Sequence, residues 1–118
     1  MDEIIGGRSD AGKDPRFPHA PAGWTPALAA ESARREGLEL GEEHWETLRA
    51  VQEYFARHEP TAINLRELHD ALDEKFHRRG GIRRLYLLFP GGPVAQGCRV
   101  AGLKAPAGAT DKGFGSVA

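Results

Sequence analysis

The sequence is poor in the features that usually announce a mechanism. One cysteine, Cys98, stands among 118 residues, which excludes an intrachain disulfide and a cysteine-based zinc site. A lone thiol in a reducing compartment is either a small buried hydrophobe or a reactive group. No stretch is apolar over the length needed to cross a bilayer, and residues 1–13 lack the apolar run of a signal peptide. Those two absences predict a cytoplasmic chain with no membrane partner. His58, His69 and His77 do not show a His-x-x-x-His spacing, and no Ser/His/Asp arrangement can be drawn. Gly91-Gly92-Pro93 lacks the lysine and spacing of a phosphate-binding loop. No metal and no cofactor are therefore expected. Alternation of period two is also missing, so sheet content should be small.

What the chain does have is punctuation. Of 15 glycines, two (Gly37 and Gly41) fall within residues 24–79, whereas nine lie between Gly80 and Gly115. The middle is thus the helical body and the ends are irregular. Residues 1–23, with four glycines and three prolines, read as a flexible lead-in with Phe17 as a candidate anchor to the core. Thr25 is a good N-cap ahead of Pro26, and Gly37 supplies a stop, which predicts a first helix between them. Trp45, Leu48, Val51 and Phe55 follow the helical period, and a second helix is expected over about residues 42–58. After Pro60, Thr61 or Asn64 can cap a third helix whose apolar stripe is Leu65, Leu68, Leu72 and Phe76. Glu67, Asp70, Asp73 and Glu74 form its wet side. Gly80-Gly81 breaks it, and Ile82, Leu85, Leu88 and Phe89 suggest a short fourth helix ended by Pro90. Trp24, Trp45, Tyr54, Phe55 and Phe89 read as packing residues. The expected organisation is a lead-in (1–23), a mostly α domain (24–97) and a mobile C-terminal arm (98–118) carrying the cysteine.

Charge is unevenly placed. Residues 39–74 carry ten acids against three arginines, and residues 75–110 carry seven bases and no acid. Such asymmetry fits an anionic partner for the basic part, or two halves that face each other. Cys98 sits in the basic half beside Arg99, and cationic neighbours lower a thiol pKa. It also lies in a run of glycine and alanine, where access to solvent is expected.

The run Leu85-Tyr86-Leu87-Leu88-Phe89-Pro90-Gly91-Gly92-Pro93, followed by Gln96-Gly97-Cys98-Arg99-Val100-Ala101-Gly102-Leu103, resembles the hallmark of the DsrC/TusE/DsvC family of sulfur-relay proteins. Upstream, Gly23-Trp24-Thr25 and the stretch from Leu38 through Glu42-Glu43-His44-Trp45 resemble two further motifs of that family. The match covers about residues 14–109. The resemblance implies a compact helical bundle with a winged-helix or helix-turn-helix-like part, a small N-terminal β-hairpin and a mobile arm. It implies a sulfur carrier in which an arm cysteine takes persulfide sulfur and passes it on, in tRNA thiolation or in sulfite and sulfur metabolism. Its partners would be other sulfur-relay or sulfite-reductase-type proteins, and the carrier would have no independent turnover.

The chain also departs from that pattern. Pro106-Ala107-Gly108-Ala109 stands where the family carries proline-x-x-cysteine, so alanine replaces the principal sulfur-accepting cysteine. Cys98 matches an upstream cysteine that some members lack. Residues 13–21 match the hairpin poorly. Arg66 aligns with an arginine of the family, whereas Asp70 stands where a lysine is usual. The candidate site is therefore Cys98 as persulfide carrier, with Arg66, Arg83, Arg84 and Arg99 as anion or partner contacts. The alternative is a non-catalytic adaptor binding a sulfur-pathway protein or DNA through its helical face. For DNA, the run His77-Arg78-Arg79 with Arg83-Arg84 is the only support, and an acidic third helix with a pI near 6.5 counts against it.

Overall fold

The structure is a computed structural model in which residues 14–109 are described, the side chain of Pro60 excepted. Residues 1–13 of the expected lead-in and 110–118 of the expected arm lie outside that range. The described residues form five α-helices and two short 3-10 turns, with no strand among them. The mostly α architecture is as expected. In place of an N-terminal hairpin, residues 14–23 make successive turns, and a β wing is likewise absent from the described residues.

Helix α1 spans Pro26–Arg35. Thr25 Oγ1 accepts from the Leu28 amide at 3.2 Å, and Pro26 supplies a preset φ at the first helical position. The helix ends because Gly37 adopts φ +76°. The Gly37 amide then donates to Arg34 O at 3.0 Å and the Leu38 amide to Ala33 O at 2.8 Å, the paired bonds of a Schellman ending. Helix α2, Glu42–Ala56, starts where the Gly41 amide donates to His44 Nδ1 at 2.9 Å. An amide can only donate, so Nδ1 must accept and the proton sits on Nε2, 2.9 Å from Leu88 O. One imidazole thus ties the start of α2 to the Leu88 carbonyl. The helix stops at Ala56, two residues short of the expected end, with Arg57 as its C-cap.

After a 3-10 turn at Pro60–Ala62, Asn64 caps α3 (Leu65–Lys75), its Oδ1 accepting from the Glu67 amide at 2.8 Å. A second 3-10 turn, His77–Arg79, leads through Gly80 into α4, Gly81–Leu88. Asp73 is not part of the wet face of α3. It is half-buried, and its Oδ1 accepts from the Ile82 amide at 2.7 Å, capping α4 from a neighbouring helix. Gly81 is required there: at φ +62°, a Cβ would lie 2.4 Å from that carboxylate oxygen.

The fifth helix, α5 (Ala95–Val100), was not anticipated. Residues 91–98 are all buried, and α5 packs against α1 and α2. Their small side chains bring backbones close together; the glycine and alanine content that suggested mobility instead permits close packing. The arm therefore does not begin at Cys98, which lies inside this helix.

The core has two parts that share α5. Val100 and Ala101 join Phe17, Trp24, Leu48 and Phe89 in one, and Val94 and Cys98 join Val51, Leu68, Leu72 and Leu85 in the other. Phe17 is fully buried, edge-on to Trp24 and Trp45 with ring centroids 5.0 and 5.7 Å away, so the later part of the lead-in is pinned to the domain. Trp24 and Phe89 are buried as expected, while Trp45, Tyr54 and Phe55 are half-buried.

Trp24 also donates from Nε1 to the Val100 carbonyl at 2.8 Å across 76 residues of sequence. Replacing Trp24 with Phe keeps most of the ring and removes that donor inside a dry core. The expected loss is about 1–3 kcal/mol, read as a lower urea midpoint with an unchanged m-value. An unchanged midpoint would show that the Val100 carbonyl finds another donor.

Candidate functional site

The site is built from the turn after α4, helix α5 and the segment that follows it. Phe89 ends α4, and Gly92, at φ +107°, turns the chain into α5. The turn is then tied down from inside. Gln96 Oε1 accepts from the Gly91 amide at 3.0 Å, and Gln96 Nε2 donates to Glu36 Oε1 at 2.9 Å. Glu36, the C-cap of α1, also receives the Arg99 guanidinium in a two-pronged contact at 2.8 and 2.7 Å. Its side chain is 12% exposed, so this is a partly desolvated, charge-assisted bond that fixes α5 against α1.

Cys98 lies on the inner face of α5 and is 0% exposed. Its amide donates to Val94 O at 2.9 Å, and its carbonyl accepts from the Leu103 amide at 2.8 Å. Burial pushes the thiol from an ordinary 9.0 up to about 12, because a thiolate there would have no solvent. The sequence suggested an exposed sulfur activated by basic neighbours; the structure corrects this on both counts. Arg99 follows Cys98 in sequence, yet its guanidinium is committed to Glu36, and no cation offsets the burial. Adjacent residues on a helix point in different directions.

The other three arginines do not converge on the sulfur either. Arg84 pairs with Glu43 on α2, which holds the Glu43 carboxyl below its usual range and raises the Arg84 guanidinium. Arg79, which had not been singled out for this, pairs with Glu46 in the same way. Arg66 and Arg83 are exposed, with no carboxylate partner among the described residues. Two of the seven bases in residues 75–110 thus face the acidic stretch of the same domain. Glu36 carries no local signal of a place in the site, because its partners Gln96 and Arg99 lie 60 and 63 residues away.

Past α5 the chain turns at Gly102. Its φ is +81°, and a Cβ there would stand 2.7 Å from Trp24 Cδ1, so only glycine fits this close approach without displacement. Residues 103–109 then run back over the domain as a strap. Leu103, Ala105 and Ala109, all half-buried, pack against the cluster that contains Cys98. Apart from Leu103 these are small side chains, which bury little area and hold the strap weakly. Gly108 and Ala109 lie beside Leu65, His69 and Tyr86, where a cavity of about 150 Å³ opens. No group of His, Cys, Asp and Glu among the described residues is arranged to hold a metal ion. No described helix is long and apolar enough to cross a membrane.

Residues 7–109 match the sequence model of the family described as DsrC like protein. A protein named Sulfurtransferase TusE from Salmonella paratyphi A is 43% identical over 84 residues, spanning 70% of this chain and 76% of that protein. Proteins of the same name from Escherichia coli (strain K12) and Sodalis glossinidius are 39% and 38% identical over the same length. No solved structure matches.

The buried thiol makes two predictions. Native protein at neutral pH should react with iodoacetamide far more slowly than the unfolded chain, because only opened molecules expose a sulfur that can ionise. Rapid labelling without unfolding would contradict the buried site. Stability should also respond to alkali through this group. With a folded value near 12 against an ordinary 9.0, the native state holds its proton more tightly than the unfolded chain. The contribution is complete below pH 9 and is lost as pH rises from 9 toward 12. Stability measured across that window should fall more steeply for the parent protein than for Cys98→Ala; parallel curves would refute the shift.

Proposed function

The chain belongs to the DsrC-like family, and on that premise we propose that it acts in sulfur relay as a TusE-like carrier, taking persulfide sulfur on Cys98. The observation that carries the reading is the match to Sulfurtransferase TusE proteins across 70% of the chain, in a protein that has one thiol to offer. The step is a sulfur exchange. The Cys98 thiolate attacks the outer sulfur of a donor persulfide, R–S–SH; the donor S–S bond breaks, R–S⁻ leaves, and Cys98 carries –S–SH. No oxidant is consumed, since the sulfane sulfur only changes partner. Passing it to an acceptor repeats the exchange in the other direction. With a single cysteine, the sulfur cannot be released through an intrachain disulfide, so it must leave to another molecule. The partners are accordingly other sulfur-transfer proteins, and tRNA thiolation is the relay to which we assign it. We place it in the cytoplasm, where thiols stay reduced.

Geometry adds a condition. Cys98 reacts only when the strap over its cluster has moved, and Gly102, already in a left-handed conformation, is the pivot about which residues 103–109 would swing. Opening brings water and a partner to the sulfur, which lowers the thiol toward its ordinary value and supplies the thiolate. Weak anchoring of the strap by small side chains makes that opening cheaper than unfolding the domain.

Intact-protein mass spectrometry after exposure to a low-molecular-weight persulfide tests this directly. The parent protein should gain sulfur that a reductant removes, and Cys98→Ser should gain none. Leu103→Ser, which weakens the main apolar anchor of the strap, should load faster, on the order of tenfold, while retaining its helical circular dichroism. A thiol left unmodified in both the parent and Leu103→Ser would sink the carrier role of Cys98 and favour an adaptor in its place.

A further inference from the structure

Among the exposed cations that no internal pair holds, Arg83 and Arg66 stand beside apolar and aromatic surface. Arg79, Arg84 and Arg99 are held by Glu46, Glu43 and Glu36. Arg83, on the outer side of α4, has no carboxylate partner among the described residues. Four residues on, and so on the same side of the helix, Leu87 is 73% exposed, the larger of the two exposures recorded for big apolar residues. Pro90, also exposed, follows one turn later. On the flank toward α3, Tyr86 meets His69 with ring centroids 6.2 Å apart, and the 150 Å³ cavity opens beside this pair. Arg66, three residues before His69 on α3, is exposed without a carboxylate partner among the described residues. One surface thus offers a protruding leucine, a small hollow with an aromatic rim, and two uncompensated guanidinium groups.

An isolated exposed leucine is ordinary on any protein surface. Here it lies between a cation and a hollow, and the strap that packs on the Cys98 cluster lines that same hollow through Gly108 and Ala109. The geometry points to this outer face of α4, with the adjoining edge of α3, as the docking surface for an acidic protein partner. Its carboxylates would meet Arg83 and Arg66 while an apolar residue packs on Leu87. The assignment rests on the relay reading, because a carrier whose sulfur is covered must be met by a protein beside the cover. Charge decides the class of partner. Arg83 and Arg66, without carboxylate partners among the described residues, suit separate carboxylates set either side of an apolar residue, whereas a continuous run of phosphates would meet exposed Glu67, Asp70 and Glu74 on the neighbouring α3. A second copy joined by a two-fold axis through α4 would set Arg83 against Arg83.

Two synthetic amphipathic helices of about twelve residues serve as probes, one with glutamates flanking a leucine stripe and the other with lysines in their place. Each is titrated into ¹⁵N-labelled full-length protein. The glutamate peptide should shift amides of Arg83 through Leu88, more weakly at higher salt, and the lysine peptide should not. Arg83→Glu and Leu87→Ser should each weaken binding about tenfold with no change in urea midpoint, since both side chains are exposed. Equal binding of the two peptides, no binding of either, shifts confined to other elements, or full binding by Arg83→Glu would each overturn the assignment. So would an oligouridylate that shifts the same amides more strongly than the glutamate peptide, because that would make the surface a nucleic-acid site. No sulfur chemistry enters the titration, so docking can fail while persulfide loading of Cys98 succeeds, and the reverse.

Discussion

The fold depends on keeping a six-residue helix inside the protein. A helix as short as α5 has no stability of its own, and its last carbonyls have no partners within it. Three donors from outside the helix meet that need. The Trp24 indole reaches Val100, the Gln52 amide reaches Ala101 at 3.0 Å, and the Leu103 amide returns to Cys98. Each donor belongs to a segment that the helix thereby fixes: the approach to α1, the middle of α2, and the strap. The Glu36 contacts to Gln96 and Arg99 add a fourth tie from the end of α1. Removing α5 would orphan groups on every side and split the core, since it contributes to both apolar clusters.

That constraint explains why the segment with the strongest family resemblance is also the most buried. The run from Phe89 to Val100 contains three glycines, two prolines and two small residues, alanine and cysteine. Small side chains are what a central helix requires if α1 and α2 are to approach it closely. Gln96 has a structural reason to be where it is, because it satisfies the Gly91 amide in the turn and reaches Glu36 across the interface. At position 98 a cysteine is a good small hydrophobe before it is a nucleophile. The sulfur is neutral and covered because the site that holds it was packed for the sake of the helix.

Local signals were legible in the sequence where their causes are local. Thr25 with Pro26, Gly37 and Asn64 each act within three or four residues, and the caps they predicted are the caps that form. The apolar stripe of α3 was legible for the same reason. What escaped is made by distant partners. Asp73 follows the polar spacing of α3, yet it caps α4 because the Gly80-Gly81 turn brings Ile82 back to it. Arg99 looked like an activator of Cys98 because the two are adjacent in sequence, but its partner is 63 residues away. The arm was placed too early because glycine and alanine accompany both flexible tails and close-packed helices, and composition alone does not separate the two. Of the five candidate site residues, the structure sets Cys98 and Arg99 on α5, pointing apart, and Arg83 and Arg84 on α4, and none of the four arginines is turned to the sulfur.

A covered sulfur and a relay are compatible if exposure is part of the exchange. The outer sulfur of an exposed persulfide is open to attack by any thiolate that reaches it, so a carrier that opened freely would release its sulfur to the small-thiol pool. On the proposed carrier reading, a strap closed over the cluster would protect the cargo, and a thiol raised toward 12 would keep the empty carrier from attacking the wrong disulfide or persulfide. The cost is speed, because the observed rate is the chemical rate multiplied by the fraction of molecules that are open. A partner that binds the open form more tightly than the closed one raises that fraction by its differential affinity and by nothing else. Gly108 and Ala109 of the strap line the hollow on the α3–α4 side of the domain, so a protein bound there would touch the cover itself. Specificity of transfer can then reside in the docking face, leaving the sulfur chemistry at Cys98 the same for every partner.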